Sequence, residues 1–91
     1  MENVPAQRVE EWVVGTIAAA CSVEPEKLTL GTRLADVGMY SLRLYALMAR
    51  IEVDFECELT QSHIVDLMTA SSIREVVILL ERIATMSSEE T

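Results

Sequence analysis

A chain of 91 residues with 51% hydrophobic side chains holds enough apolar material for one compact core and leaves no room for a second domain. Its formal charge of −8 repels phosphate backbones, which sets nucleic acid aside as a partner and favours basic proteins. No run approaches the roughly 18–20 uninterrupted apolar residues that cross a bilayer, and no basic segment followed by an apolar one opens the chain, so a cytoplasmic protein without membrane association is expected.

The first element is predicted over about Ala6 to Ala20, where Val9, Trp12, Val13, Ile17 and Ala20 recur at helical spacing and Pro5 suits a first turn. Residues 22–40 follow with weak periodicity and the breakers Pro25, Gly31 and Gly38. Leu28, Leu30, Leu34 and Val37 punctuate this stretch and can pin it to a core. So long a loop in so short a chain points to an ordered, functional segment.

From Ser41 to about Phe55, the residues Leu44, Leu47, Met48, Ile51 and Phe55 predict a second amphipathic helix. The apolar group Ile64, Val65, Leu67 and Met68 fits a short third helix. Ser72 with Glu75 has the capping-box pattern that opens a fourth, whose buried face is expected to be Ile73, Val76, Val77, Leu80 and Ile83. The polar end, about residues 86–91, reads as a frayed tail. The whole chain, 1–91, is thus expected to be one all-α domain, a four-helix bundle with a long loop between helices one and two and a short third helix.

Cys21 and Cys57 stand 36 positions apart without a Cys-x-x-Cys or Cys/His spacing, which argues against a metal site, and they read as small buried apolar residues or free thiols in preference to a disulfide, which the fold does not need. Ser41 lacks the Gly-x-Ser-x-Gly surroundings of an esterase nucleophile, since Met39 and Arg43 occupy the two glycine positions. His63, the only histidine, reads as a capping or solvent-facing residue, Asp36 as a loop residue and Asp54 as a solvated helix residue. No catalytic residue is expected.

The stretch Thr32-Arg33-Leu34-Ala35-Asp36-Val37-Gly38-Met39-Tyr40-Ser41-Leu42 ends the loop and opens the second helix. It resembles the attachment motif of the acyl and peptidyl carrier protein family, with Thr32, Leu34, Asp36, Val37, Gly38, Ser41 and Leu42 matching. Leu47 to Ile51 with Phe55 looks like the second helix of peptidyl carriers, and Leu67 to Val76 is similar to the loop entering their last helix. The resemblance implies a non-catalytic monomer bearing covalent 4′-phosphopantetheine on Ser41, placed there by a phosphopantetheinyl transferase. It further implies an acyl- or aminoacyl-loading enzyme and ketosynthase or condensation-type enzymes as partners. A serine at a helix start suits this task, because free backbone N–H groups and the helix dipole favour a phosphodiester there.

Two departures from the family pattern stand out. Tyr40 replaces the aspartate that many carriers have before the serine, and a tyrosine there can cover apolar surface with its hydroxyl in water. The second helix is formally neutral, Arg43 and Arg50 balancing Glu52 and Asp54, while Glu2, Glu10, Glu11, Glu24, Glu26, Glu56 and Glu58 place the acidity elsewhere. Recognition through apolar contacts is therefore expected, at a partner-facing patch of Leu42, Tyr45 and Ala49 with Tyr40 beside it. The neutral second helix leans toward polyketide or nonribosomal-peptide chemistry over fatty acid synthesis. The initial methionine and short tail suggest a free-standing protein. A carrier-like interaction module that is never modified is the alternative.

Overall fold

The computed structural model describes residues 4–89, so Glu2 and the last two residues of the expected tail lie outside it. A 3₁₀ turn at Ala6–Arg8 leads into α1, Val9–Cys21. Helices α2, Leu42–Asp54, α3, Gln61–Thr69, and α4, Ile73–Glu89, follow. Among the described residues there is no strand, only an isolated bridge between Arg33 and Ser72.

Each helix forms where its apolar spacing lets one face leave water. Val9, Val13 and Ile17 of α1, Leu47, Met48 and Ile51 of α2, Leu67 of α3 and Ile73, Val76, Val77 and Leu80 of α4 build a common core, closed by Phe55. At about 25 cal/mol per Å² of apolar surface, this burial is the main force holding the bundle together. α1 packs against both α4 and α2. Trp12 meets Phe55 edge-on with ring centroids 4.9 Å apart. α1 has Glu10 and Glu11 at its positive end and closes at a left-handed Ser22, where the Val23 N–H returns to the Ala18 carbonyl at 2.9 Å.

The long loop is ordered, as its leucines imply. Leu28 and Leu34 are buried, Leu30 and Val37 are half-buried, and two 3₁₀ turns, Pro25–Lys27 and Leu34–Val37, take up much of its length. Backbone hydrogen bonds tie it to the start of α4: Leu34 N–H to the Ser71 carbonyl at 3.0 Å, Ile73 N–H to Thr32 at 3.0 Å and Arg74 N–H to Leu30 at 2.9 Å. These bonds satisfy groups that a loop lying on a core must pair.

Several local expectations need correction. Ala20 is exposed and Ala18 takes its place in the core, because α1 turns its face by about 100° per residue and Ala18 follows Ile17 onto the buried side. In the third helix only Leu67 is fully buried; Val65 and Met68 face solvent, since nine residues resting on one side offer a narrow stripe. That helix is also longer than its apolar group, because Thr60 caps it. α4 continues through the stretch expected to fray, as far as Glu89.

Candidate functional site

Ser41 sits at the joint where the ordered loop becomes α2. Met39, only 2% exposed, anchors the chain just before it, with its N–H bonded to the Leu34 carbonyl at 2.9 Å. Gly38 precedes at φ +80°, a left-handed turn suited to glycine. Ser41 itself has φ 53° and ψ −124°, close to the first central position of a type II′ turn, and the Arg43 N–H closes that turn on the Tyr40 carbonyl at 3.2 Å. A side chain that would be unremarkable inside a helix is thereby turned outward at its rim.

The Ser41 side chain does not cap the helix, and among the described residues its hydroxyl makes no hydrogen bond. Serines at helix starts often cap, and here the backbone prevents it: an N-cap needs extended φ and ψ, which Ser41 does not adopt. The hydroxyl is exposed and free to react. The carbonyl of Ser41 accepts from the Leu44 and Tyr45 N–H groups at 3.0 and 3.1 Å, so the first turn of α2 is formed. The Ser41 and Leu42 N–H groups have no acceptor among the described residues.

The residues expected around it lie at the surface. Tyr40, Leu42 and Tyr45 are 59%, 81% and 57% exposed, and Ala49 is exposed as well. Leu44, expected in the core, is half-buried at its edge. Beside Tyr40 an open cavity of about 280 Å³ runs between the loop, α2 and α3, with Leu34, Met39, Leu44 and Leu67 along it and Arg33 and Met68 at its margins. Arg43 reaches back from α2, its Nη1 donating to the Gly38 carbonyl at 3.2 Å. This contact has no signature in the motif.

The other singled-out residues have structural duties. His63 caps α3: its N–H donates to Thr60 Oγ1 at 3.1 Å and its Nδ1 accepts the Thr60 N–H at 3.3 Å. Asp36 is an exposed loop residue. Asp54 is not a solvated helix residue: its side chain is 17% exposed and accepts from Trp12 Nε1 at 2.8 Å and Arg50 Nε at 3.1 Å, joining α1 to α2. Glu75 supplies its half of the expected capping box and more, accepting from the backbone N–H groups of Ser71 and Ser72 at 3.0 and 3.2 Å and from both hydroxyls. These bonds, led by that of the Ser71 hydroxyl, hold the Glu75 carboxyl below its ordinary value.

Cys21 and Cys57 are free thiols, each half-buried. Burial pushes both up from the ordinary thiol value; the nearby Arg43 charge opposes the shift at Cys21, and Glu52 adds to it at Cys57. Neither thiol is thus activated.

An exposed hydroxyl without a partner, unpaired N–H groups at a helix start and a cation two residues on suit a phosphodiester. A family model described as "Phosphopantetheine attachment site" matches residues 11–80, from the first turns of α1 to the middle of α4. No curated protein and no solved structure matches the chain.

Proposed function

Since the chain belongs to the phosphopantetheine-attachment family, whose members hold 4′-phosphopantetheine covalently, we propose that it is an acyl or aminoacyl carrier with the arm on Ser41. The observation that supports Ser41 is its free, exposed hydroxyl on the turn that opens α2, inside the matched region. In the loading step the Ser41 oxygen bonds to the pantetheine phosphorus of coenzyme A as the bond between its two phosphates breaks. Adenosine bisphosphate departs, and the hydroxyl proton passes to a base of the transferase.

A thioester on the arm keeps its acyl carbon electrophilic, and a flexible tether presents it to successive enzymes at high effective concentration. The carrier itself supplies position and recognition. A formally neutral α2 with Tyr40 before the serine supports polyketide or peptide assembly as the setting, with an acyl- or aminoacyl-loading enzyme and ketosynthase or condensation-type enzymes as partners.

Intact-protein mass after incubation with coenzyme A, magnesium and a broad-specificity phosphopantetheinyl transferase tests the reading. One added phosphopantetheine is expected on the parent chain and none on Ser41→Ala. Loading of Ser41→Ala would refute the site, and no loading of a folded parent would favour an unmodified interaction module.

A further inference from the structure

Arg43 stands in the first turn of α2, in a chain with only seven cationic side chains. It reaches backward across the turn that carries Ser41 with two groups. Its backbone N–H donates to the Tyr40 carbonyl at 3.2 Å, and its Nη1 donates to the Gly38 carbonyl at 3.2 Å. The guanidinium therefore spans residues 38–43 and ties the loop end to the helix. Gly38 is shaped for this contact: besides its φ of +80°, a Cβ there would lie 2.8 Å from Arg43 Nη1.

The charge on this bridge is also uncommitted. A guanidinium carries five N–H donors, and the contact with Gly38 uses one. Among the described residues no carboxylate pairs with Arg43, whereas Arg50 on the same helix is paired with Asp54 at 3.1 Å. Among the described residues only Arg50 of the seven cationic side chains is held by a carboxylate. What sets Arg43 apart from the other unpaired cations is its place, tied by Nη1 to Gly38 and by its N–H to Tyr40 on the turn that carries Ser41, where the loading reaction makes a new anionic linkage. Fixed N–H donors aimed at developing phosphoryl charge lower the barrier to phosphoryl transfer, and guanidinium geometry fits phosphate oxygens.

We propose that Arg43 is a positioning residue for modification of Ser41: it locks the turn in the form that presents the hydroxyl and sets a free positive charge over the site of the phosphodiester. The inference rests on Ser41 being the attachment residue, and its test separates the two.

Loading kinetics are measured on the full chain for the parent, Arg43→Gln, Arg43→Lys and Ser41→Ala, with amide exchange followed by NMR on the unmodified proteins. Arg43→Gln is expected to load roughly five- to tenfold more slowly, the worth of one hydrogen bond, with the loss in kcat, because the apolar surface that docks the transferase is untouched. Arg43→Lys, which keeps the charge and a donor, regains most of the rate. Exchange at the Arg43 N–H quickens in Arg43→Gln while the thermal midpoint stays near that of the parent. Equal loading of the parent and Arg43→Gln, with unchanged exchange at Arg43, overturns the role of Arg43 and leaves Ser41 standing. Loading of Ser41→Ala at the parent's rate, or a parent that accepts no arm, overturns the attachment reading and this proposal with it.

Discussion

At the scale of single residues, the backbone of Ser41 carries the sharpest consequence. A non-glycine residue at φ 53°, ψ −124° is strained, and such strain costs of the order of 1 kcal/mol or more. Because the hydroxyl gives no capping bond in return, Ser41→Ala loses little stability. Ser41→Gly, free of Cβ, is expected to be more stable than Ser41→Ala by about 1 kcal/mol in urea unfolding. Equal stabilities of the two variants would show that the turn is not strained. Asp54 gives a second test at this scale. Its truncation in Asp54→Ala leaves the Trp12 N–H without its acceptor, for a loss of about 1–3 kcal/mol and roughly 4–8 °C of thermal midpoint per kcal/mol. A midpoint unmoved by this change would remove the bond from the account.

These two residues also mark the limit of what one sequence discloses. The place of Ser41 was legible, because glycine, an apolar residue and a helix start recur at set spacing around it. Its backbone angles were not, since they follow from Met39 being driven into the core and Arg43 closing the turn. Asp54 has ordinary helical surroundings in sequence, and its partner Trp12 lies 42 positions away, beyond any local pattern.

Among the elements, one carboxylate reinforces the join between the loop and α4. Glu75 collects the N–H and hydroxyl groups of Ser71 and Ser72, next to the backbone bonds that hold residues 30–34 in place. Its folded value lies below the unfolded one, so its contribution is complete above the ordinary 4.5 and fades as pH falls through the depressed value. The stability gap between the parent and Glu75→Gln is therefore expected to be widest near neutrality and to close with acidification below pH 4.5, read by unfolding midpoints across a pH series. A gap that stays constant with pH would mean that the carboxylate charge does nothing there. The Ser72 and Glu75 pattern announced this helix start. Ser71 could not be foreseen, because its hydroxyl reaches Glu75 only once the loop has laid the chain against α4. The helical tail shows the same limit, its polar composition being no barrier to a helix already nucleated by the buried turns before it.

Across the whole molecule, charge and apolar surface are divided. Glu10, Glu11, Glu24, Glu26, Glu56 and Glu58 are all exposed and lie off α2, whose own exposed charges, Arg43, Arg50 and Glu52, flank the uncharged Leu42, Tyr45 and Ala49 on the surface next to Ser41. Three uncharged side chains gain little from long-range attraction, so association through them depends on apolar area removed from water and shows only a weak response to salt. Tyr45 is the largest of the α2 side chains on this face, and an exposed one can change without disturbing the core. Tyr45→Glu replaces apolar area by a charge that a partner must desolvate, at a loss of about 1–3 kcal/mol of binding, or fivefold and upward in transfer to the partner. Loading of Ser41 and the thermal midpoint are expected to stay near those of the parent. The comparison to make is cargo transfer from the loaded parent and the loaded Tyr45→Glu chain at two salt concentrations. Equal rates would show that partners dock elsewhere, and a steep fall in the parent's rate with salt would show that the acidic surface, not the apolar face, guides them.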